Sequence, residues 1–177
     1  MLVYDEYHLR WPYKREIIQR LKAGDKVFIT GPVYTARDAA HKRMMEDLSH
    51  LPFPLEDQII YYCGPTPPKP GRPVGAAGPT TSRRMDAYTS QLLEGGLLGM
   101  IGKGPRSQEV IEAIVQYGAV YLTAIGGAGA LLGKYITRAE IVAYPDLGCE
   151  AVYKFELVNF PVYVGVDSQG KTIFTNQ

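Results

Sequence analysis

Residues 26–62, KVFITGPVYTARDAAHKRMMEDLSHLPFPLEDQIIYY, read as strand, helix and strand, and that order decides the fold class. Lys26–Thr30 (KVFIT) is apolar and β-branched, and the Gly31-Pro32 pair predicts its end. Thr35 and Asp38 form a T-x-x-D pattern like a capping box, and ARDAAHKRMMEDL continues at helical period. Gln58–Tyr62 (QIIYY) is the second strand. Outward from this unit the alternation repeats. Leu97–Ile101 and Val120–Ile125 read as strands, and RRMDAYTSQLLEG, SQEVIEAIVQYG and GALLGKYI as helical stretches, with Pro105 near the start of the second. Upstream, Lys14–Ala23 (KREIIQRLKA) predicts a short amphipathic helix closed by Gly24. The C-terminal third offers four short strands: Ile141–Tyr144, Val152–Glu156, Val162–Val166 and Thr172–Phe174. Strands alternating with helices predict an α/β fold with a mixed, largely parallel central sheet and flanking helices. The expected organisation is one domain over 1–177, with 1–23 as an N-terminal extension packing on it.

Composition narrows the function. A formal net charge of +1 gives no global bias toward nucleic acid or anionic membrane, so any basic site is local. The start, MLVYDEYHLRWPYKRE, is charged and lacks an apolar signal core, and no run is long enough to span a membrane; a cytoplasmic protein is expected. Cys63 and Cys149 form no CxxC pattern, and two thiols cannot hold an iron–sulfur cluster alone; no metal site is expected in this chain.

Open α/β sheets bind ligands at the carboxyl ends of their strands, so the strand-to-helix loops are the place to search. Three of them carry a cation: Arg37 in TARDAAHKR, Arg84 in TTSRRMD and Lys103 in MIGKGPRSQ. Helix starts favour anions, and guanidinium groups add bidentate carboxylate or phosphate recognition. Each cation alone is more often a solvated surface charge; the coincidence is what points to a polyanionic small molecule. Gly64–Pro79, GPTPPKPGRPVGAAGP, cannot form a regular element, and long loops inside compact chains are usually functional. Thr80, Thr81 and Ser82 read first as N-caps of the next helix. The functional alternative is a hydroxyl base activated by Arg84 one turn on, since a threonine hydroxyl is a poor base without such help. His41 reads as a surface or helix-capping imidazole, and His8 and His50 show no partner. Cys63 reads as a small buried hydrophobe. The GGAGA turn at 126–130 suits a phosphate loop or tight helix–strand packing equally well.

TARDAAHKR, YYCGPTPPKPGRPVGAAGPTTSRRMDAY, GLLGMIGKG, AIGGAGALLGKYI and YKFELVNFPVYVGVD, in that order, resemble the C-terminal domain or separate beta subunit of the iron–sulfur (class I) fumarate hydratase and L-tartrate dehydratase family. The GP…GPTT…RMD block is the specific part. The resemblance implies a swivelling β/β/α domain that closes over a 4Fe-4S cluster held by a cluster-bearing alpha subunit. It implies Thr80 as base with Thr81 as the adjacent possibility, Arg37 and Arg84 as substrate-binding arginines, and Lys103 as the lysine. The implied function is reversible hydration of fumarate to malate, with L-tartrate dehydration as the near alternative and a homodimer or heterotetramer as the expected assembly. A non-catalytic module that binds a dicarboxylate through the same cations is the reading from another class. Arg83 departs from the family pattern, which has a small residue there.

Overall fold

The structure, a computed structural model, describes residues 3–175. Strand β2, Lys26–Thr35, runs straight through the Gly31-Pro32 pair expected to end it. Within a strand the N–H and C=O of one residue point to the same side. The Pro32 carbonyl accepts the Tyr13 hydroxyl at 2.9 Å, so the missing proline N–H faces that side chain and costs no rung of the ladder. The strand adapts with a register irregularity between Ile29 and Gly31.

The other strands are β1 (Glu6–Arg10), β3 (Ile59–Tyr61), β4 (Gly99–Gly102), β5 (Val120–Thr123), β6 (Ile136–Ala143) and β7 (Val152–Val166). Pairs β1–β2, β2–β3, β3–β4 and β4–β5 are parallel, whereas β7 runs antiparallel to β2, β5 and β6. The pairings close on themselves as β2–β3–β4–β5–β7–β2, with β1 and β6 as outlying edges. The first 23 residues therefore add a strand to the sheet as well as packing on it, and no sequence signal had marked β1. Two of the four expected C-terminal strands are one: β7 continues through 157–161, bending at Asn159 (φ 51), whose N–H donates to Thr30 Oγ1 at 3.0 Å. The Ile141–Tyr144 strand is the end of the longer β6, and Thr172–Phe174 reduces to a single bridge between Val166 and Thr172.

The helices are α1 (Arg15–Ile18), α2 (Asp38–Glu46), α3 (Asp86–Glu94), α4 (Gln108–Tyr117) and α5 (Gly129–Leu132). Helix α1 is shorter than the predicted 14–23. Its end tightens into i→i+3 bonds at Arg20 and Leu21, and Asp25 takes the Lys22 N–H at 2.8 Å, turning the chain so that Leu21 can be buried. The capping box at Thr35 and Asp38 does not form: Arg37 is the N-cap of α2 and no side chain caps it. The Thr35 hydroxyl is used across the sheet, donating to Ala151 O at 3.4 Å and accepting the Tyr153 N–H at 3.0 Å. Helix α4 is capped locally, with Ser107 accepting from Val110 N–H and Gly118 closing the helix in the left-handed region.

Alternation along the strands divides the core in two. Ile59, Tyr61, Val120 and Leu122 point into the closed ring; Ile60, Tyr62 and Tyr121 point outward beneath α2, α3 and α4. Helices α2, α3 and α4 cover the outward face, and Ile18 of α1 and Leu132 of α5 pack with the ring cluster. No helix among the described residues is long and apolar enough to cross a membrane.

Candidate functional site

The parallel register lines up the carboxyl ends of four strands. Thr35 lies beside Tyr61, Tyr61 beside Ile101, and Gly102 beside Thr123. Arg37 and Lys103 leave this one edge within two residues of their strand ends. Beyond Tyr62, whose N–H still donates to Ile101 O at 2.8 Å, β3 and β4 separate. The returning end of the 64–79 loop fills the gap. Thr80 N–H donates to Tyr62 O at 2.7 Å, Lys103 N–H to Thr80 O at 3.3 Å and Ser82 N–H to Lys103 O at 2.9 Å. Thr81 and Lys103 pair as an isolated parallel bridge. Gly102 has to be glycine here, because a Cβ would overlap Ser82 Oγ.

The threonines do not cap the helix. A 3-10 turn, Ser82–Met85, precedes α3, and Thr81 makes no side-chain cap. Neither the Thr80 nor the Thr81 hydroxyl has a hydrogen-bond partner among the described residues. Thr80 is half-buried and Thr81 exposed. The Ser82 hydroxyl is tied down instead: Tyr121 donates to Gly104 O at 2.7 Å and so accepts from Ser82 Oγ at 2.8 Å.

The cations differ in how firmly they are held. Arg84 Nε lies 3.3 Å from Asp38 Oδ1, with both side chains about half exposed (50% and 43%), a pair that water and ligands can readily replace. Arg37 packs against Gly64, and a Cβ at 64 would stand 3.0 Å from the guanidinium. Its acid neighbour, Glu150, is 3.9 Å away, beyond hydrogen-bond reach, and Arg37 Nε is a buried donor with no acceptor among the described residues. Lys103 lies against Gly126 in the 124–129 loop. Arg83, the departure from the family pattern, lines a cleft with Ser107, Ile111 and Phe174. The GGAGA turn serves packing: Gly129 O accepts Ala77 N–H at 3.0 Å, and a Cβ on Gly129 would come within 3.1 Å of Gly78 N.

Beneath the edge lies a network with no sequence signal beyond one arginine in a loop. Arg106 is fully buried. Its Nε donates to Asp86 Oδ1 at 2.7 Å, Nη2 to Thr89 Oγ1 at 2.7 Å and Nη1 to the Tyr62 hydroxyl at 3.2 Å. Asp86 also takes the Ser107 N–H at 2.8 Å. His41, expected as a surface or helix-capping imidazole, is fully buried, with Nδ1 2.8 Å from Arg37 O. Burial lowers its pKa to about 4; the bond to the Arg37 carbonyl and Asp38 oppose this, and Arg106 adds to it. Unfolded, the imidazole titrates near 6.5, so between those values the unfolded chain binds the extra proton. Stability should therefore be full above about pH 6.5 and fall as pH drops toward 4, by on the order of 3 kcal/mol. Urea titrations at pH 7 and 4.5 check this, and His41→Asn should flatten the slope relative to wild type.

Cys63 is buried, and burial pushes its thiol up to about 12, with nearby Arg37 pulling the other way; it is inert, as expected of a small hydrophobe. Cys149 is exposed. No group of three or more His, Cys, Asp or Glu that could hold a metal ion is found among the described residues.

The Fumarase C-terminus family pattern matches residues 5–177. The chain belongs to that family. It is 40% identical over 167 residues to "Fumarate hydratase class I, aerobic" of Salmonella typhimurium, covering 90% of this chain and 29% of that protein. It is 39% identical over 168 residues to "Fumarate hydratase class I, anaerobic" of Escherichia coli, covering 90% and 31%. The chain thus spans about three tenths of the length of these relatives. A protein of Methanocaldococcus jannaschii, provisionally described as an L(+)-tartrate dehydratase subunit beta, is 39% identical over 166 residues, covering 89% of this chain and 85% of that one.

Proposed function

We propose that this chain is the beta subunit of a two-chain hydro-lyase that hydrates fumarate reversibly to malate, working with an alpha subunit that carries a 4Fe-4S cluster. The observation that carries the reading is the shared strand-end edge of Arg37, Thr80, Thr81, Arg84 and Lys103, where the threonine hydroxyls and Arg37 Nε have no hydrogen-bond partner among the described residues. L-tartrate dehydration is the second reading, favoured by the match to nearly the whole of a separate beta subunit.

Hydration adds a proton to one carbon of the double bond and hydroxide to the other. In this chain Thr80 handles the proton at carbon. Removing a proton beside a carboxylate in the reverse direction builds an aci-carboxylate dianion, and Arg37, Arg84 and Lys103 balance that charge. Loss of one such donor should cost about 2.7–4 kcal/mol of barrier, the range for an oxyanion donor. The edge is open, and the clefts of about 510 and 580 Å³ elsewhere on the molecule are lined by other residues. A partner closing over the edge, by a swivel of this domain, would exclude water from the reaction. A heterotetramer built on a homodimer of this chain fits such a division of labour.

The test is co-expression with a cluster-bearing partner, anaerobic reconstitution, and assays of fumarate hydration and L-tartrate dehydration. Expected are turnover by the complex, none by either chain alone, and loss in air. An intact cluster with neither reaction defeats the enzyme reading. Dicarboxylate binding by this chain alone would then support a non-catalytic module.

A further inference from the structure

We propose that His41 is a positioning residue for Arg37, gripping the Arg37 carbonyl through Nδ1–H and wedging its ring between Tyr62 and Tyr88. Arg37 leaves the sheet as the extended N-cap of α2 (φ −112, ψ −160), and no side chain caps that helix start. Its carbonyl instead receives two donors from one residue: the His41 backbone N–H at 2.9 Å and the ring Nδ1 at 2.8 Å. A carbonyl has two lone pairs, and both are engaged. The direction from which the guanidinium departs is thereby fixed one peptide away.

The ring reaches the rest of the edge as well. It stacks on Tyr88 of α3 with centroids 5.5 Å apart at 22°, and meets Tyr62 edge-on at 5.5 Å and 68°. Tyr62 is the residue whose carbonyl holds Thr80 N–H, and Asp38, next to Arg37, holds Arg84. One side chain thus joins the β2–α2 junction, the end of β3 and the helix after Arg84.

The chemistry of the ring argues against simple filling. Donation to a carbonyl requires the Nδ1–H tautomer, which leaves Nε2 with a lone pair; Nε2 is buried with no partner among the described residues. A leucine would fill the same space without stranding a polar atom, so the donor to Arg37 is what the site needs from a histidine. Burial keeps the ring neutral at working pH, so the grip does not change with a proton; the charged groups facing it are Arg106 and Asp38.

The inference rests on Arg37 binding the dicarboxylate, and its test separates the two. In the reconstituted complex, His41→Leu should raise KM for fumarate by about tenfold or more with kcat changed by less than about threefold. His41→Asn, which keeps a donor near Nδ1, should recover most of the loss. In the isolated 15N-labelled chain, the Arg37 Nε–H resonance should be sharp in wild type and His41→Asn and exchange-broadened in His41→Leu. Folded variants with wild-type KM and an unaltered Arg37 signal would overturn the proposal. If the wild-type complex reacts with neither substrate, the enzyme reading fails, and the Arg37 resonance still decides the role of His41. If His41→Leu does not fold, ring 15N shifts of wild type decide: the Nδ1–H tautomer is required, and the Nε2–H tautomer overturns it.

Discussion

Thr80→Ala, assayed in complex with the cluster-bearing partner, is expected to lose about 10²–10⁴-fold in kcat, the usual contribution of a positioned acid–base group, with little change in KM. The backbone at 80 is held on both sides, by Tyr62 O and by Lys103 N–H, so the substitution removes a hydroxyl without moving the strand ends. That hydroxyl has no hydrogen bond to lose among the described residues, so stability should change little. An unaided threonine hydroxyl would be almost wholly protonated. On the proposed reading its alkoxide would need a cation beside it, and the candidates are Lys103, whose backbone bonds Thr80 O, and Arg84 one turn on. Thr81→Ala is the control. Thr81 is more exposed, and if Thr80 is the base this variant should retain turnover within about tenfold. The reverse ranking would move the base to Thr81, and full turnover by both variants would remove the threonine from the mechanism.

How much of this was legible depended on whether the deciding force was local. Arg37, Arg84 and Lys103 could be singled out because strand-to-helix loops fall on one edge of a parallel sheet whatever the details of packing, whereas Thr80 came from the family resemblance. Helix α4 forms where its periodicity predicts it, bracketed by short-range bonds at Ser107 and Gly118. The failures lie where a distant partner decides. Pro32 does not stop β2 because its donorless side faces Tyr13, nineteen residues earlier in the chain. Thr35 does not cap α2 because Ala151 and Tyr153 claim its hydroxyl from across the sheet. The α2 face that buries His41 is set by Tyr62 and Tyr88, neither of which is near it in sequence. Arg106 is the sharpest case. A lone arginine in a Gly-Pro-Arg-Ser loop reads as solvated, and only the folded chain shows Asp86, Thr89 and Tyr62 surrounding it.

That arginine underlies the largest expected loss of stability. Asp86→Ala should lower the unfolding free energy by about 3–5 kcal/mol, the cost of leaving a buried charge uncompensated. For a chain of this size that is roughly 6–20 °C in Tm. The Arg106 side chain has 0% exposure and that of Asp86 11%, so water cannot replace the lost carboxylate as it would at the surface. Burial works against the arginine's charge, yet Tyr62 and Asp86 outweigh it, and the guanidinium stays protonated. It also lies over the Tyr62 and Tyr121 rings, 5.3 and 5.0 Å from their centroids. Without Asp86 the stranded cation would pull on both rings, and through them on the Tyr62 carbonyl that holds Thr80 and on the Ser82–Tyr121–Gly104 bonds. Asp86→Asn keeps acceptors for Ser107 N–H and Arg106 Nε but not the charge, and should cost less than alanine. The double variant Asp86→Leu/Arg106→Met removes both charges and should regain part of the stability, because an apolar pair of similar volume leaves no ion behind. Urea denaturation of the three variants measures the series. A wild-type midpoint for Asp86→Ala, or a double variant less stable than either single change, would mean that the ion pair is not what holds α3 and α4 beneath the edge.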